Sequence, residues 1–115
     1  MFDMLRQLSE PLKVLHKAGF VHGDIKPDNI CMRPWKHEVP PQKFTKGRTE
    51  KFEPYISEYQ FTLIDFGIIS KFKIKKANKT YSSHVGNLMF SSLRGLKCQQ
   101  TRYQDDFESL LYLAF

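Results

Sequence analysis

The sequence predicts an α+β fold, mainly helical with a short β-hairpin region. Three observations predict it. Leu5, Leu8, Leu12 and Leu15 recur at steps of three and four, which places them on one helix face. Two short apolar runs, residues 30–32 and 61–64, have the composition of a pair of strands. The stretch 105–115 carries apolar residues on nearly every side, from Phe107 through Leu110, Leu111 and Leu113 to Phe115, as in a helix buried in the middle of a domain. At 115 residues the chain has room for one domain and is short for two.

The first helix carries an interruption. Pro11 stands among the leucines, so either the helix kinks there or a second one starts, with Ser9 as its cap. Lys17 near the end and Gly19 just after form a reasonable stop. A polar cluster from His22 to Asn29 precedes the first strand. Residues 33–59 differ in composition. Pro34, Pro40, Pro41 and Pro54 stand among Lys36, Lys43, Lys46, Arg48 and Lys51, which reads as a basic, proline-containing insertion loop. Lysines dominate again over 70–79. Small and polar residues prevail over 82–104, the composition of an extended surface segment.

Composition narrows the class. Hydrophobic residues make up 41% of the chain, so it is core-forming rather than disordered. No run approaches the roughly 18 apolar residues of a membrane span, and the start lacks a signal pattern. Cys31 and Cys98 form no Cys-x-x-Cys pair and fit a reducing compartment. The reading is a soluble chain of the cytoplasm or nucleus with no membrane partner. His16, His22, His37 and His84 with the cysteines lack zinc-ligand spacing. The net charge of +6 suggests an acidic partner. The lysine-rich stretches could meet nucleic acid, but a solvated flexible surface is the stronger reading.

Two clusters carry chemistry. His22-Gly23-Asp24-Ile25-Lys26-Pro27-Asp28-Asn29 places a carboxylate, an ammonium and an amide close together on a loop. Phosphoryl transfer from a nucleotide to a hydroxyl needs three such groups. One carboxylate orients the hydroxyl, one cation meets the transferring phosphoryl, and oxygen ligands hold the metal that neutralises phosphate charge. Asp24 suits the first task, Lys26 the second and Asn29 the third. Ile64-Asp65-Phe66-Gly67 adds a carboxylate after a strand, followed by a glycine free to bend, and so presents a hard oxygen ligand suited to Mg²⁺.

Together the clusters resemble the catalytic loop and metal-binding triplet of eukaryotic protein kinases. His22, Asp24, Lys26, Asn29, Asp65, Phe66 and Gly67 agree at once, and chance agreement over all placements is on the order of 10⁻⁵. Gly86-Asn87-Leu88-Met89-Phe90-Ser91-Ser92 resembles the casein kinase I segment that replaces the usual Ala-Pro-Glu. Arg102-Tyr103-Gln104-Asp105-Asp106-Phe107-Glu108-Ser109-Leu110 resembles the opening of that group's central helix. Gly23, where most kinases have arginine, is shared with the vaccinia-related kinases.

The resemblance implies a protein kinase-like fold, with residues 1–115 forming part of the large, C-terminal lobe. It implies a serine/threonine kinase using ATP and Mg²⁺ on protein substrates, acidic or already phosphorylated. Asp24 and Lys26 would be catalytic. Lys26, Asn29, Cys31 and Asp65 would meet the nucleotide, and Asn29 and Asp65 the metal. Cys31 would lie beneath the adenine ring, or be an ordinary buried thiol. His22 and Phe66 would stack between the lobes, and Asp106 would hold the catalytic-loop backbone through its N–H groups. Lys71, Lys73, Lys75, Lys76 and Lys79 would line the substrate groove and favour acidic substrates, or merely solvate a mobile loop.

The departures carry expectations too. Gly23 removes the arginine that pairs with a phosphorylated activation segment. Asn87 replaces a threonine that usually bonds Asp24 and Lys26, and Leu111 replaces a glycine. Nothing resembles the Gly-rich loop or the strand lysine of the small lobe. The 115 residues alone are therefore expected to be inactive. The alternative reading is a non-catalytic kinase-like remnant or interaction module.

Overall fold

The computed structural model describes residues 2–39, 55–72 and 80–115. Helix α1 spans Phe2–Lys17, strand β1 Phe20–Val21, β2 Ile30–Val39, β3 Tyr55–Leu63 and β4 Ser70–Lys71, with helices α2 over Leu93–Leu96 and α3 over Tyr103–Tyr112. A single 3₁₀ turn, Pro27–Asn29, leads into β2. Strand thus weighs more against helix than the mainly helical expectation allowed.

Helix α1 runs unbroken through Pro11. Leu8 and Leu12 are fully buried on either side of it. Each such leucine contributes roughly 1.5–3 kcal/mol, which offsets the roughly 3 kcal/mol cost of a mid-helix proline. Ser9 does not cap a second helix; its hydroxyl donates to the Arg6 carbonyl at 2.8 Å. The stop is as expected: Gly19 takes φ +87° and donates to the His16 carbonyl at 2.9 Å. Leu8 and Leu12 meet Ile25, Leu63 and Leu110 in one core, flanked by Met4, Leu5, Ile30, Phe61, Phe107 and Leu113.

Two antiparallel ladders frame the chain. Strand β1 pairs with β4, Phe20 opposite Lys71 and Val21 opposite Ser70. Strand β2 pairs with β3, from Ile30 opposite Leu63 out to Val39 opposite Tyr55. This ladder corrects the expected insertion loop over 33–59, which is strand at both ends; residues 40–54 lie outside the described residues. Pro34 is tolerated because the register shifts just after it, with Trp35 and Lys36 opposite Glu58 alone. The outer edge of β3 is closed by a side chain. Gln7 donates to the Tyr59 carbonyl and accepts the Phe61 N–H, both at 2.9 Å, as a further strand would.

The stretch 82–104, expected to be extended, contains α2, capped by Ser92, whose Oγ accepts the Gly95 N–H at 3.1 Å. Helix α3 is less enclosed than its composition predicts. Leu110 is buried, whereas Leu111, Tyr112 and Phe115 are exposed. Among the described residues no helix is long and apolar enough to cross a membrane.

Candidate active site

The two ladders tie four loop ends pairwise. The loop 22–29 runs from β1 to β2, and the turn 64–69 runs from β3 to β4. Because β1 pairs with β4 and β2 with β3, the loop and the turn lie side by side. The Ile64 N–H donates to the Asn29 carbonyl at 2.9 Å and extends the contact past the end of the ladder.

Asp106 of α3 supports the loop from below. It is 1% exposed. Its carboxylate accepts the N–H groups of His22 at 2.8 Å and Gly23 at 2.9 Å. His16 Nε2 lies 2.7 Å from the oxygen that His22 uses. A buried carboxylate without partners is strongly unfavourable, and these contacts satisfy it. The arrangement expected for Asp106 is therefore present. His16 was missed by the sequence reading. The available signal was a lone polar residue continuing the Leu8–Leu12 stripe at a step of four.

His22 is fully buried. Its Nδ1 faces the Asp24 N–H at 3.2 Å, and its ring meets Phe66 edge-on with centroids 5.1 Å apart. Phe66 itself is 45% exposed.

Three groups converge on the Asp24 carboxylate. Lys26 Nζ lies 3.0 Å from Oδ2. Asn29 Nδ2 donates to the same oxygen at 3.0 Å and to the Asp24 carbonyl at 2.7 Å. The Asn87 N–H donates to Oδ1 at 3.1 Å. The hydrogen bond to Asp24 holds the Lys26 ammonium above the usual lysine range. Desolvation opposes this, and the charges of Asp24, Asp28 and Asp65 reinforce it. The Asn87 side chain turns away. Its Oδ1 accepts the N–H groups of Met89 at 2.8 Å and Phe90 at 3.2 Å, so the backbone rather than the amide meets Asp24.

Asp65 takes φ +61°, a conformation that aspartate tolerates because its short side chain bonds locally. Here Oδ1 accepts the Gly67 N–H at 3.0 Å. The donor set fits a magnesium ion. The amide nitrogen of Asn29 is engaged by Asp24, which leaves its oxygen for a cation, and Asp65 is an exposed carboxylate. Mg²⁺ takes one or two such protein oxygens and completes its shell with water and phosphate. Among the described residues no cluster of three or more His, Cys, Asp or Glu gathers, so the pair is no all-protein cage.

Cys31 lies two residues beyond Asn29 on β2, opposite Thr62, and is exposed, which removes the ordinary buried-thiol reading. Lys71 is exposed on β4, while Lys73, Lys75, Lys76 and Lys79 lie outside the described residues. Beside Gly23 a cavity of about 210 Å³ is lined by Ile68, Ser70, Ser83, Val85 and Gln100 among others, and among the described residues by no lysine or arginine.

A loop carrying Asp24, Lys26 and Asn29 and a turn carrying Asp65, held side by side over a buried helix carboxylate, form part of a protein kinase-like domain. The chain belongs to the fungal protein kinase family, which matches residues 1–115. Over 69 residues it is 36% identical to the EKC/KEOPS complex subunit bud32 of Aspergillus clavatus, covering 60% of this chain and 23% of that protein. Over 115 residues it is 28% identical to a probable serine/threonine-protein kinase of fowlpox virus, covering 96% of this chain and 32% of the viral protein. The bud32 protein of Aspergillus fumigatus is 30% identical over 69 residues, with 60% and 23% covered. The chain thus spans no more than 32% of the length of these relatives.

Proposed function

We propose that this chain is the catalytic-loop part of the large lobe of a serine/threonine protein kinase, which passes the γ-phosphoryl group of ATP to protein hydroxyls. The observation that carries the reading is the convergence of Lys26, Asn29 and the Asn87 N–H on the Asp24 carboxylate. Asp24 orients the substrate hydroxyl and accepts its proton. The Lys26 ammonium meets the charge on the transferring group. Asn29 and Asp65 would hold magnesium, which neutralises phosphate charge when bound. Cys31, exposed on β2, would lie against the adenine ring.

The casein kinase I group remains the reading within the superfamily, supported by the segments 86–92 and 102–110. Acidic or phosphorylated substrates are supported by exposed Lys71 and the net charge of +6. A second reading, a kinase-like interaction module, is favoured by one observation: the Aspergillus relatives are named as subunits of a complex.

The test uses the full-length protein that carries this chain, labelled ATP and a peptide array. Label should appear on serine or threonine, most strongly beside acidic residues. Asp65→Asn should weaken magnesium-dependent nucleotide binding on the order of 10-fold or more. Absence of transfer with intact partner binding would favour the interaction module. A preference for basic peptides would remove the acidic-substrate assignment.

A further inference from the structure

We propose that the cavity beside Gly23 is a binding site for a small, uncharged, hydroxyl-bearing ring compound, a phenol. It lies apart from the site described above, because Asp24, Lys26, Asn29 and Asp65 do not line it. Three parts of the chain enclose it. Gly23 comes from the loop 22–29, Ile68 and Ser70 from the turn and β4, and Val85, Cys98 and Gln100 from the stretch between β4 and α3. Backbone bonds fix these walls. The Tyr81 N–H donates to the Cys98 carbonyl at 2.6 Å, and Thr80 bridges Gln99. The Cys98 N–H donates to the Gly95 carbonyl at 2.9 Å. Gly23 leaves the space open, since a Cβ there would find nothing nearer than the Ile68 carbonyl oxygen at 3.9 Å.

The lining selects the ligand. At about 210 Å³ the cavity exceeds the roughly 150 Å³ that suffices for benzene in an apolar protein cavity, so one ring with a substituent fits. Ile68, Val85 and Cys98 give the ring apolar neighbours. Among the described residues no charged side chain lines the cavity, so a phosphate or carboxylate would lose its hydration there and gain no counter-charge. One polar group lacks a partner. Gln100 is 6% exposed, and among the described residues its Oε1 accepts no hydrogen bond. A buried acceptor without a donor is unfavourable, and a ligand hydroxyl supplies the donor. The terminal torsion of the amide is broad, and a hydroxyl both donates and accepts, so it suits either end of Gln100. A bare ring would fill the space and leave that oxygen as it is.

Cys98 reports occupancy from within the site, and Cys31, exposed on β2, is the internal control. The full-length protein is alkylated with N-ethylmaleimide while phenol is titrated in, and each cysteine is followed by peptide mass spectrometry. With phenol at about ten times its dissociation constant, Cys98 labelling should slow about 10-fold and Cys31 labelling should not change. Toluene keeps the ring and lacks the hydroxyl, so it should bind on the order of 10-fold more weakly. Phenyl phosphate should give no protection. Gln100→Leu should erase the preference for phenol over toluene while both still protect. Should Gln100→Leu fail to fold, the three compounds on the unaltered protein carry the test. No protection of Cys98 by phenol, or equal protection of Cys31, overturns the site. Toluene matching phenol, protection by phenyl phosphate, or a preference that survives in folded Gln100→Leu overturns the assigned ligand chemistry. The readout involves no phosphoryl transfer, so its failure leaves the proposed kinase activity standing.

Discussion

In the loop from His22 to Asn29 the polar groups bond inward, whereas in the turn from Ile64 to Ile69 the side chains face outward. His22, Ile25 and Asn29 are buried, and Asp106 beneath them is too. Ile64, Phe66, Ile68 and Ile69 are each more than a third exposed. Both segments are pinned at their ends by the same two ladders, so pairing alone does not explain the contrast. The difference lies in what each segment packs on. Helix α3 offers the loop a carboxylate for its N–H groups and Leu110 for Ile25, while among the described residues the turn meets the edge of His22 through Phe66 and the Asn29 carbonyl through the Ile64 N–H. Apolar surface left in water contributes no transfer energy. The loop's conformation is thus set by this chain's own interior, and that of Asp65 by local turn geometry.

The contrast can be broken by mutation. Asp106→Ala would leave the His22 and Gly23 N–H groups without their acceptor. The expected loss is roughly 3–5 kcal/mol, the scale for removing one partner from a buried charged cluster. Phe66→Ala removes a half-exposed ring and should change stability by no more than about 1 kcal/mol. Chemical denaturation of both variants in the full-length protein measures the gap. Equal effects would erase the distinction between the two segments.

A smaller effect concerns pH. The hydrogen bond to Asp24 raises Lys26 above the usual lysine range. A raised folded-state value means the pair contributes fully below the ordinary lysine value and is lost as pH climbs through the raised one. The Asp24–Lys26 pair should therefore be intact throughout the neutral range, and no limb of the pH–rate profile near neutrality should belong to Lys26. A neutral-range limb that disappears in Lys26→Arg would contradict this.

The loop residues were legible because their types and spacing match a family pattern over several positions at once. Asp24, Lys26 and Asn29 do meet in space, and Asp106 holds the backbone as the resemblance implied. The ribbon of β2 and β3 was not legible. Its prolines and lysines are loop-like in composition, and neither the bulge after Pro34 nor the cross-strand bond from Arg33 to Gln60 at 2.6 Å leaves a periodic trace. That one helix continues through Pro11 was not legible either, because the burial that offsets the proline comes from tertiary contacts. The direction of Asn87 was hidden too. Its N–H reaches Asp24 where the backbone of Gly86 closely approaches that of Gly23, far away in the chain.

The central claim is that Asp24 acts on the hydroxyl while the nucleotide is held by other groups. Asp24→Asn in the full-length protein, assayed for both turnover and ATP affinity, tests it most directly. Turnover should fall on the order of 10²-fold or more, with nucleotide affinity nearly unchanged. Near-normal turnover, or a loss of nucleotide binding that accounts for the fall, would contradict the account.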